Sequence, residues 1–380
     1  MKIEKIFQSR SVLLFLIIPF FKPVCIQYFS VLQALEQLFV NWKMISAACI
    51  LSLFLIHLLK STKIPKLILY IVLYEAGIVF STIYNQGYLL KALIDAVSIT
   101  SFSILLILAI RYNSTIFLNQ LGNLLKILML SNLISMCIFP SGLPADLYYN
   151  AENALYFMVV DNGSALFLMF SMLIFILNDL VKKGRISRIG KILVFFCLWS
   201  GVMSHSATAV LILLAFIFFL ILIRKRNTCN PWFFLLLFSI CSVIMFAMQN
   251  SKILEFILVN ILDRYSTFTS RYLLWNSAVQ MIFQKPWLGY GRIDHDYIAA
   301  WGGYFSSHNF ILEMLLQGGI LAWSQFILII IATVKRLYKG RGRKVIKALT
   351  IALFVVLTSA LVESTIHSVY IWGIIVLCFE

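Results

Sequence analysis

Runs of about 20 apolar residues recur along this sequence and restrict its fold more than any other feature. A bilayer core of about 30 Å takes about 20 residues of α-helix. Separated by polar breaks, the runs lie at 12–30, 42–60, 64–84, 90–110, 121–140, 163–181, 190–204, 207–223, 231–249, 309–334, 347–363 and 366–380. Hydrophobic residues make up 62% of the chain and charged residues 12%, unlike a soluble domain. The sequence therefore predicts an all-α, polytopic membrane helix bundle of about twelve segments.

Basic residues fall at every second break between the apolar runs. They precede the first run and follow the second, fourth, sixth, eighth and tenth: Lys2, Lys5, Arg10, Lys60, Lys63, Lys66, Arg111, Lys182, Lys183, Arg185, Arg188, Lys191, Arg224, Lys225, Arg226, Lys335, Arg336, Lys339, Arg341, Arg343, Lys344 and Lys347. Because basic residues favour the cytoplasmic side, we expect both termini in the cytoplasm. The first run lacks a small-residue cleavage site and is expected to be retained as a span. This topogenic bias accounts for most of the net charge of +16, so nucleic-acid binding gains no support.

Two acids lie most clearly inside the apolar runs, one turn or more from the run ends, where a charge is costly unless it has a partner or a wet cavity. Glu75 and Asp95 are candidates for lining such a cavity or for pairing with Lys91, and a functional and a structural interpretation both stay open. His57 and His367 are interpreted as interfacial residues. The seven cysteines form no CxxC pair and show no metal-ligand spacing, so they predict no metal site.

The link between the ninth and tenth runs, 249–307, is much longer than the other links on the side away from the cytoplasm. A link of this length in a compact bundle is usually functional or disordered, and its many aromatic residues argue against disorder. Part of it has an apolar face at helical spacing, formed by Tyr272, Trp275, Val279 and Ile282. The predicted division is a membrane bundle, a folded extracytoplasmic loop and a second membrane bundle: 1–249, 250–308 and 309–380.

Three arginines in this loop lie where the positive-inside rule does not require them. Arg264, Arg271 and Arg292 are candidates for anion binding, because the guanidinium group suits phosphate oxygens and stays charged. The alternative is pairing with lipid headgroups or with the acids of the loop, which are Asp263, Asp294 and Asp296. Pro286 and the glycines that follow it predict a tight turn whose backbone can approach a ligand closely.

The stretch SHNFILEMLLQGGI, at 307–320, is where the loop re-enters the membrane. Asn309 is a favourable helix N-cap, and the N–H groups at a helix N-terminus form a natural phosphate site. The positive end of the helix disfavours an imidazolium ion, so His308 is expected to stay neutral and able to accept a proton. The structural alternative is that Asn309 caps the helix and His308 bonds locally. Glu313, one turn into the span, is expected to orient a neighbour or Arg271.

Together, SRYLLW at 270–275, KPWLGYG at 285–291 and the 307–320 stretch resemble the O-antigen ligase and polymerase superfamily. The resemblance implies a glycosyltransferase with a GT-C-like fold that uses polyprenyl-diphosphate-linked sugars without a metal or other cofactor. It further implies that Arg271 binds the donor diphosphate and that His308 is the catalytic base. Trp275 and Tyr290, within the same motifs, are candidates for supporting residues.

One position departs from the pattern of that superfamily. The family commonly has a Ser-Arg or Thr-Arg pair between two adjacent spans, and here the corresponding tip reads SHSAT, with no arginine. Its polar residues, Ser204, Ser206 and Thr208, either donate to phosphate, with His205 in place of the arginine, or cap the next helix. A second phosphate-binding cation is then expected from Arg292 or Arg264. At another span entrance Asp161 and Asn162 resemble a polar family position loosely, and helix capping is favoured for them.

The resemblance covers polymerases and ligases, which share this chemistry. The missing tip arginine and the many aromatic residues of the loop, which suit sugar stacking, favour a polysaccharide polymerase, for O-antigen, capsule or exopolysaccharide. The alternatives are ligase-type transfer to another acceptor or a lipid-linked oligosaccharide flippase; a flippase would be expected to carry cations in mid-span and an internal repeat. The implied location is the bacterial cytoplasmic (inner) membrane, with the site on the outer face. The implied partners are a lipid-linked donor, a lipid-linked acceptor and the bilayer, and a chain-length regulator is left open.

Overall fold

The computed structural model describes residues 3–60, 64–148, 153–224, 226, 229–248, 265–292, 307–363 and 366–380. These residues fold into helices joined by links, and Leu155 and Val160 form an isolated antiparallel β-bridge. The helices are α1 (Ile3–Gln8), α2 (Arg10–Ile17), α3 (Gln33–Lys60), α4 (Lys66–Tyr84), α5 (Leu89–Ile138), α6 (Ser164–Lys183), α7 (Arg188–Met203), α8 (Ala207–Ile223), α9 (Pro231–Met248), α10 (Tyr265–Gln284), α11 (Phe310–Lys339), α12 (Lys344–Ser359) and α13 (Val369–Phe379).

Within the described residues, five helical stretches are long and apolar enough to cross a membrane: Ser30–Leu59, Lys66–Tyr84, Leu89–Ile138, Ser164–Lys183 and Phe310–Lys339. Shorter apolar helices accompany them at Arg10–Phe21, Ala207–Ile223, Pro231–Met245 and Val369–Phe379. This is the architecture of a multi-pass membrane helix bundle, as the composition predicted. The count of twelve crossings and the GT-C-like fold stay predictions.

At two places the observed helices refine the predicted spans. The fourth and fifth predicted spans correspond to the two halves of α5, which are divided at Asn113, whose backbone is non-helical. The Asn113 side chain accepts from the Ile116 N–H at 3.0 Å and so starts the second half of this helix. At the other end of the chain, α12 stops at Ser359 and α13 starts at Val369, and the described residues between them, 360–363 and 366–368, lie outside helices. Glu363 and His367 therefore lie outside the helices that the apolar runs had placed them in or beside.

The first predicted span is also shorter than its apolar run. Helix α2 passes into a 3-10 turn at Ile18–Phe21, and further short turns follow at Val24–Tyr28 and Ser30–Leu32. Pro19 lies within the first of these turns and Pro23 directly precedes the second. Proline lacks the N–H that a helix interior requires, which explains why the apolar run does not continue as one helix.

Helix α6 lies at the centre of the bundle. Every residue from Ser164 to Leu177 is buried, as expected of a helix that is apolar on all sides. Helices α5, α7, α8 and α12 pack around it. A second close pair, α4 and α11, carries Glu75, Glu313 and Gln317 of the candidate site described below.

The helices run between two ends of the bundle. At one end, which we call the His308 end, the Phe310 N–H at the start of α11 donates to the Ala360 oxygen after α12, at 2.8 Å. At the other, the basic end, Arg111 pairs with Glu380 at 2.6 Å and Lys344 donates to the Gly184 oxygen at 2.9 Å. Basic segments that the sequence separates widely therefore meet at one end of the fold, away from His308.

Candidate functional site

The start of α11 is fixed by Asn309, as its sequence position predicted. The Asn309 Oδ1 accepts from the N–H groups of Ile311 at 2.9 Å and Leu312 at 3.1 Å, and its Nδ2 donates to the Leu361 oxygen at 2.8 Å. The Phe310 N–H also donates, to the Ala360 oxygen. The expectation that these N–H groups bind phosphate is therefore wrong for this conformation, because the side-chain cap and the 360–361 link already occupy them.

His308 precedes this cap in a strained backbone conformation. Its φ is +47°, a region that costs a residue other than glycine on the order of 1–3 kcal/mol. The imidazole is partly exposed, at 41%, and its Nδ1 lies 4.0 Å from the Glu363 Oε2, which is 11% exposed. Glu363 lies in the link between α12 and α13, whereas the apolar pattern had predicted that it ends a span. The ring is thus held at the bundle surface with a carboxylate on its Nδ1 side.

Glu313 fixes the residue that precedes His308. Its carboxylate accepts from the Ser307 N–H at 3.1 Å, from the Ser307 hydroxyl at 3.0 Å and from the Gln317 amide at 2.9 Å. The Trp275 indole of α10 donates to the Ser307 oxygen at 2.8 Å. Glu313 and Trp275 therefore hold the residue before His308, and their supporting roles in the reaction stay predictions.

Arg292 is paired with an acid of the bundle rather than with one of the loop acids considered in the sequence. Its Nη2 lies 3.2 Å from the Asp95 Oδ2, and Lys91 lies 3.7 Å from the other oxygen of the same carboxylate. The backbone of Arg292 is held on both sides: its N–H donates to the Thr82 hydroxyl at 2.8 Å, and its oxygen accepts from the Tyr88 N–H at 2.8 Å. Two cations surround one carboxylate, so this group keeps one net positive charge.

His367 joins this cationic group to the segment before His308. Its Nε2 lies 2.9 Å from the Gln317 Oε1, and its Nδ1 lies 3.8 Å from the Asp95 Oδ2. Since the Gln317 amide nitrogen donates to Glu313, its oxygen accepts the proton on the His367 Nε2. Burial, together with the charges of Arg292 and Lys91, lowers the pKa of His367 well below its ordinary value, so the ring is neutral. His367 is mostly buried, with 17% of its side chain exposed, and its interfacial position stays a prediction.

We call this series of residues the polar chain; its members are Ser307, Glu313, Gln317, His367, Asp95 and Arg292. It links the residue before His308 to the cation through contacts of 2.9 to 3.8 Å. Glu75 of α4 is buried within electrostatic range of Asp95 and Arg292. The two acids noted in the apolar runs therefore both lie beside this group.

The turn that carries Arg292, which we call the glycine turn, is 285–292. Gly289 and Gly291 have φ of +67° and +75°, and the opposing Gly319 of α11 has φ of +59°. The turn pairs with α11 through backbone bonds, including Tyr290 N to Leu316 O at 2.6 Å and Ile320 N to Pro286 O at 2.8 Å. A Cβ on Gly289 would lie 2.4 Å from the Leu316 oxygen. The glycines thus allow the backbone of the turn to pack closely on α11. The sequence had predicted that this backbone approaches a ligand.

Tyr290 stabilises the glycine turn from within. Its ring is buried, its hydroxyl donates to the Gln284 side chain at 3.1 Å, and the Lys285 ammonium lies 4.7 Å from the ring centre. Lys285 also donates to the Asn85 side chain at 2.6 Å. Tyr290 therefore packs inside the turn that presents Arg292.

The segment that contains α7 to α10, the glycine turn and His308 has a counterpart among known protein families. Residues 192–327 match a family model described as O-antigen ligase. The match confirms the resemblance to the O-antigen ligase and polymerase superfamily and includes Arg271, Arg292 and His308. No curated protein matches this chain, and no solved structure matches it.

At the tip that departs from the O-antigen ligase pattern, Ser204 and Ser206 make local hydrogen bonds. The Ser204 hydroxyl donates to the Gly201 oxygen at 2.9 Å and bonds the Ser164 hydroxyl at 3.0 Å, while Ser206 caps α8 through the Ala209 N–H at 3.3 Å. Thr208 is in the first turn of α8. The capping alternative for this tip therefore holds for Ser206.

The remaining predicted residues have different outcomes. The Asp161 carboxylate accepts from the Ala154 N–H at 2.8 Å, so it closes a loop where helix capping was expected. Arg271 lies in α10, but its side chain is outside the described residues, as are the whole of Arg264 and the loop acids Asp263, Asp294 and Asp296. Among the residues that the structure describes, no group of three or more His, Cys, Asp or Glu is placed to hold a metal ion.

Proposed function

We propose that this protein is a polysaccharide polymerase of the membrane glycosyltransferase type. It transfers a polyprenyl-diphosphate-linked glycan onto a lipid-linked repeat unit by metal-independent, inverting transfer. The proposed location is the bacterial cytoplasmic membrane, with both termini in the cytoplasm and the site on the outer face. Supporting observations are the apolar helices, the family match and the placing of the basic segments at the end away from His308.

The observation that carries the proposal is the position of His308 beside Glu363, at the start of α11 and inside the matched segment. A base must be reachable by the substrate and must stay near a group that stabilises its protonated form. The partly exposed ring satisfies the first condition, and the Glu363 carboxylate on the Nδ1 side satisfies the second. In the proposal, the proton of the acceptor hydroxyl passes to the His308 Nε2.

The donor diphosphate is assigned to cations at the same end. Arg271 is the first ligand on the family pattern, and Arg292 supplies the second charge, with Arg264 as the other candidate. Arg292 is suited to this task, because the group that it forms with Lys91 and Asp95 keeps one net positive charge. Its backbone bonds to Thr82 and Tyr88 hold it in place before substrate arrives.

In the proposed step, a hydroxyl of the acceptor's terminal sugar attacks C1 of the donor glycan. The bond from the hydroxyl oxygen to C1 forms as the bond from C1 to the diphosphate oxygen breaks, and the lipid diphosphate leaves with the electron pair. The hydroxyl proton passes to the His308 Nε2. The arginines stabilise the charge that grows on the leaving diphosphate. A single displacement of this kind inverts the configuration at C1.

Ligase-type transfer to another acceptor is the second candidate, because the matching family model carries the description O-antigen ligase. The chemistry at His308 and at the arginines is the same for both. Only the acceptor differs, so the two are separated by the product formed.

A purified-protein assay tests the proposal directly. Full-length protein in lipid vesicles is supplied with a synthetic polyprenyl-diphosphate oligosaccharide as both donor and acceptor. We expect lipid-linked glycans that are longer by whole repeat units, without added metal. Transfer that occurs only when a different acceptor is added would favour the ligase, and movement of substrate across the bilayer without new bonds would favour a flippase.

His367 gives a prediction about the polar chain. We expect His367→Ala to raise the apparent KM for the lipid-linked donor by roughly tenfold, because one buried hydrogen bond is lost and Arg292 is less well held. The kcat, which depends on His308, should change less. His367→Gln should restore much of the donor affinity, since its amide can still donate toward Gln317. A fall in kcat alone, with no rescue by glutamine, would argue against this positioning role.

A further inference from the structure

The basic end of the bundle contains a cavity that the proposed reaction does not use. Its volume is about 960 Å³, at the upper end of the range of about 300–1,000 Å³ for ligand pockets. It lies between the ends of α6, α7 and α8 and the start of α12. Seven basic residues line it: Lys183, Arg185, Arg188, Lys191, Arg224, Lys344 and Lys347. We call it the basic cavity.

The charges of the basic cavity are largely uncompensated by protein groups. Asp179 is the nearby acid, 3.4 Å from Lys183, and its carboxylate also accepts from the Ser187 N–H and hydroxyl to close the turn between α6 and α7. Among the described residues no carboxylate pairs with four of the cations, namely Arg185, Arg188, Lys191 and Arg224. A group of cations that lacks acids favours an anionic ligand.

Two of the lysines of the basic cavity hold neighbouring segments together. Lys344 donates to the Gly184 oxygen at 2.9 Å, and Lys347 donates to the Arg226 oxygen. These bonds connect the start of α12 to the turns after α6 and α8. The cavity is therefore formed by several helices together and is distinct from a row of exposed side chains on one helix.

The opposite wall of the basic cavity is apolar. It includes Val194 of α7 and Leu220 and Ile221 of α8, and Ile221 is 67% exposed on the outside of the bundle. Further along, both helices carry exposed apolar side chains, including Phe195 of α7 and Phe218 of α8. A ligand that fits must therefore combine a negatively charged head with apolar chains, which is the chemistry of an anionic phospholipid.

We propose that the basic cavity binds the phosphodiester headgroup of an anionic phospholipid, with its acyl chains along α7 and α8. Basic pockets between membrane helices on the cytoplasmic side are suited to such headgroups. The site lies at the opposite end of the helices from His308, because α12 runs from Lys344 at the cavity to Ala360 beside Phe310. The lipid bound here is therefore a structural ligand, separate from the glycan donor.

Lipid titration of the full-length protein in detergent micelles tests this proposal. The variant Arg188→Gln, Lys191→Gln, Arg224→Gln removes three cavity charges, and the control variant Lys66→Gln, Lys335→Gln, Lys339→Gln removes three at the same end outside the cavity. Phosphatidylglycerol binding, measured by native mass spectrometry, should weaken about tenfold or more in the cavity variant, since each basic residue near an anionic lipid adds roughly 1 kcal/mol. The control variant should bind like the parent protein.

Three outcomes would overturn the proposal. If phosphatidylglycerol binding weakened equally in both variants, the attraction would be general electrostatics. If phosphatidylcholine bound as tightly as phosphatidylglycerol, the cavity would not recognise the headgroup charge. Displacement of the lipid by inorganic diphosphate at equal concentration would mean a site for free anions. Thermal unfolding without lipid checks that the variants fold, and the single substitutions Arg188→Gln and Arg224→Gln replace the triple variant if it does not.

Discussion

His308→Asn is expected to abolish glycan transfer while the protein stays folded. Asparagine tolerates the positive φ of this position better than alanine does, so the backbone before α11 should keep its conformation. Its amide cannot accept the proton of the acceptor hydroxyl, and loss of a general base costs roughly 100- to 10,000-fold in rate. The measurement is the initial rate of lipid-linked glycan extension by purified protein, with donor binding measured separately.

His57→Asn is the matched control for this experiment. His57 lies on α3 and bonds the Tyr112 hydroxyl at 2.9 Å, and it has no contact with the residues of the polar chain. The same substitution there should leave the rate of transfer close to that of the parent protein. A normal rate for His308→Asn, with donor binding unchanged, would remove His308 from the catalytic role and leave only its structural interpretation.

Gly319→Ala is expected to disrupt the site from inside α11. The residue has a φ of +59°, and an added Cβ would lie 2.4 Å from the Trp287 carbonyl group of the glycine turn. Strain at the positive φ and the steric overlap together should cost more than about 2 kcal/mol of stability. Since Arg292 ends the same turn, donor affinity should fall as well. Thermal unfolding in detergent and the KM for donor are the two measurements.

Gly77→Ala provides the control for crowding between the same two helices. A Cβ at Gly77 of α4 would meet the Leu321 side chain of α11 at 3.7 Å, an ordinary van der Waals contact. We expect no loss of stability and a gain of up to about 1 kcal/mol, because alanine is favoured over glycine in a helix interior. Equal effects of the two substitutions would show that the backbone conformation of Gly319 is not important to the fold.

The apolar runs predicted the helical architecture because membrane burial imposes one local requirement on every span. They also located Asn309 correctly as a cap, since capping depends on a few neighbouring residues. Where a run contained proline, the prediction failed locally, and the first span ends early near Pro19. Asn113 divides α5 between the fourth and fifth runs, where the sequence predicted a break.

Partners that come from distant parts of the chain were not predicted. His367 and Glu363 were placed in or beside apolar spans, because hydropathy alone does not show that 360–368 is a link. The polar composition of VESTIHS, at 362–368, was the available signal. The pairing of Arg292 with Asp95 depends on how α4, α5 and α11 assemble, and the sequence of the loop has no local sign of it.

The bonds between the glycine turn and its two supporting helices restrict the route by which a lipid carrier reaches the site. The turn is fastened to α11 by Tyr290 and Ile320, and Arg292 is fastened to Thr82 of α4. A long isoprenoid tail could not slide between α4 and α11 at this level without breaking those bonds. In the proposed reaction, the tail is therefore expected to enter the site from a different flank of the molecule.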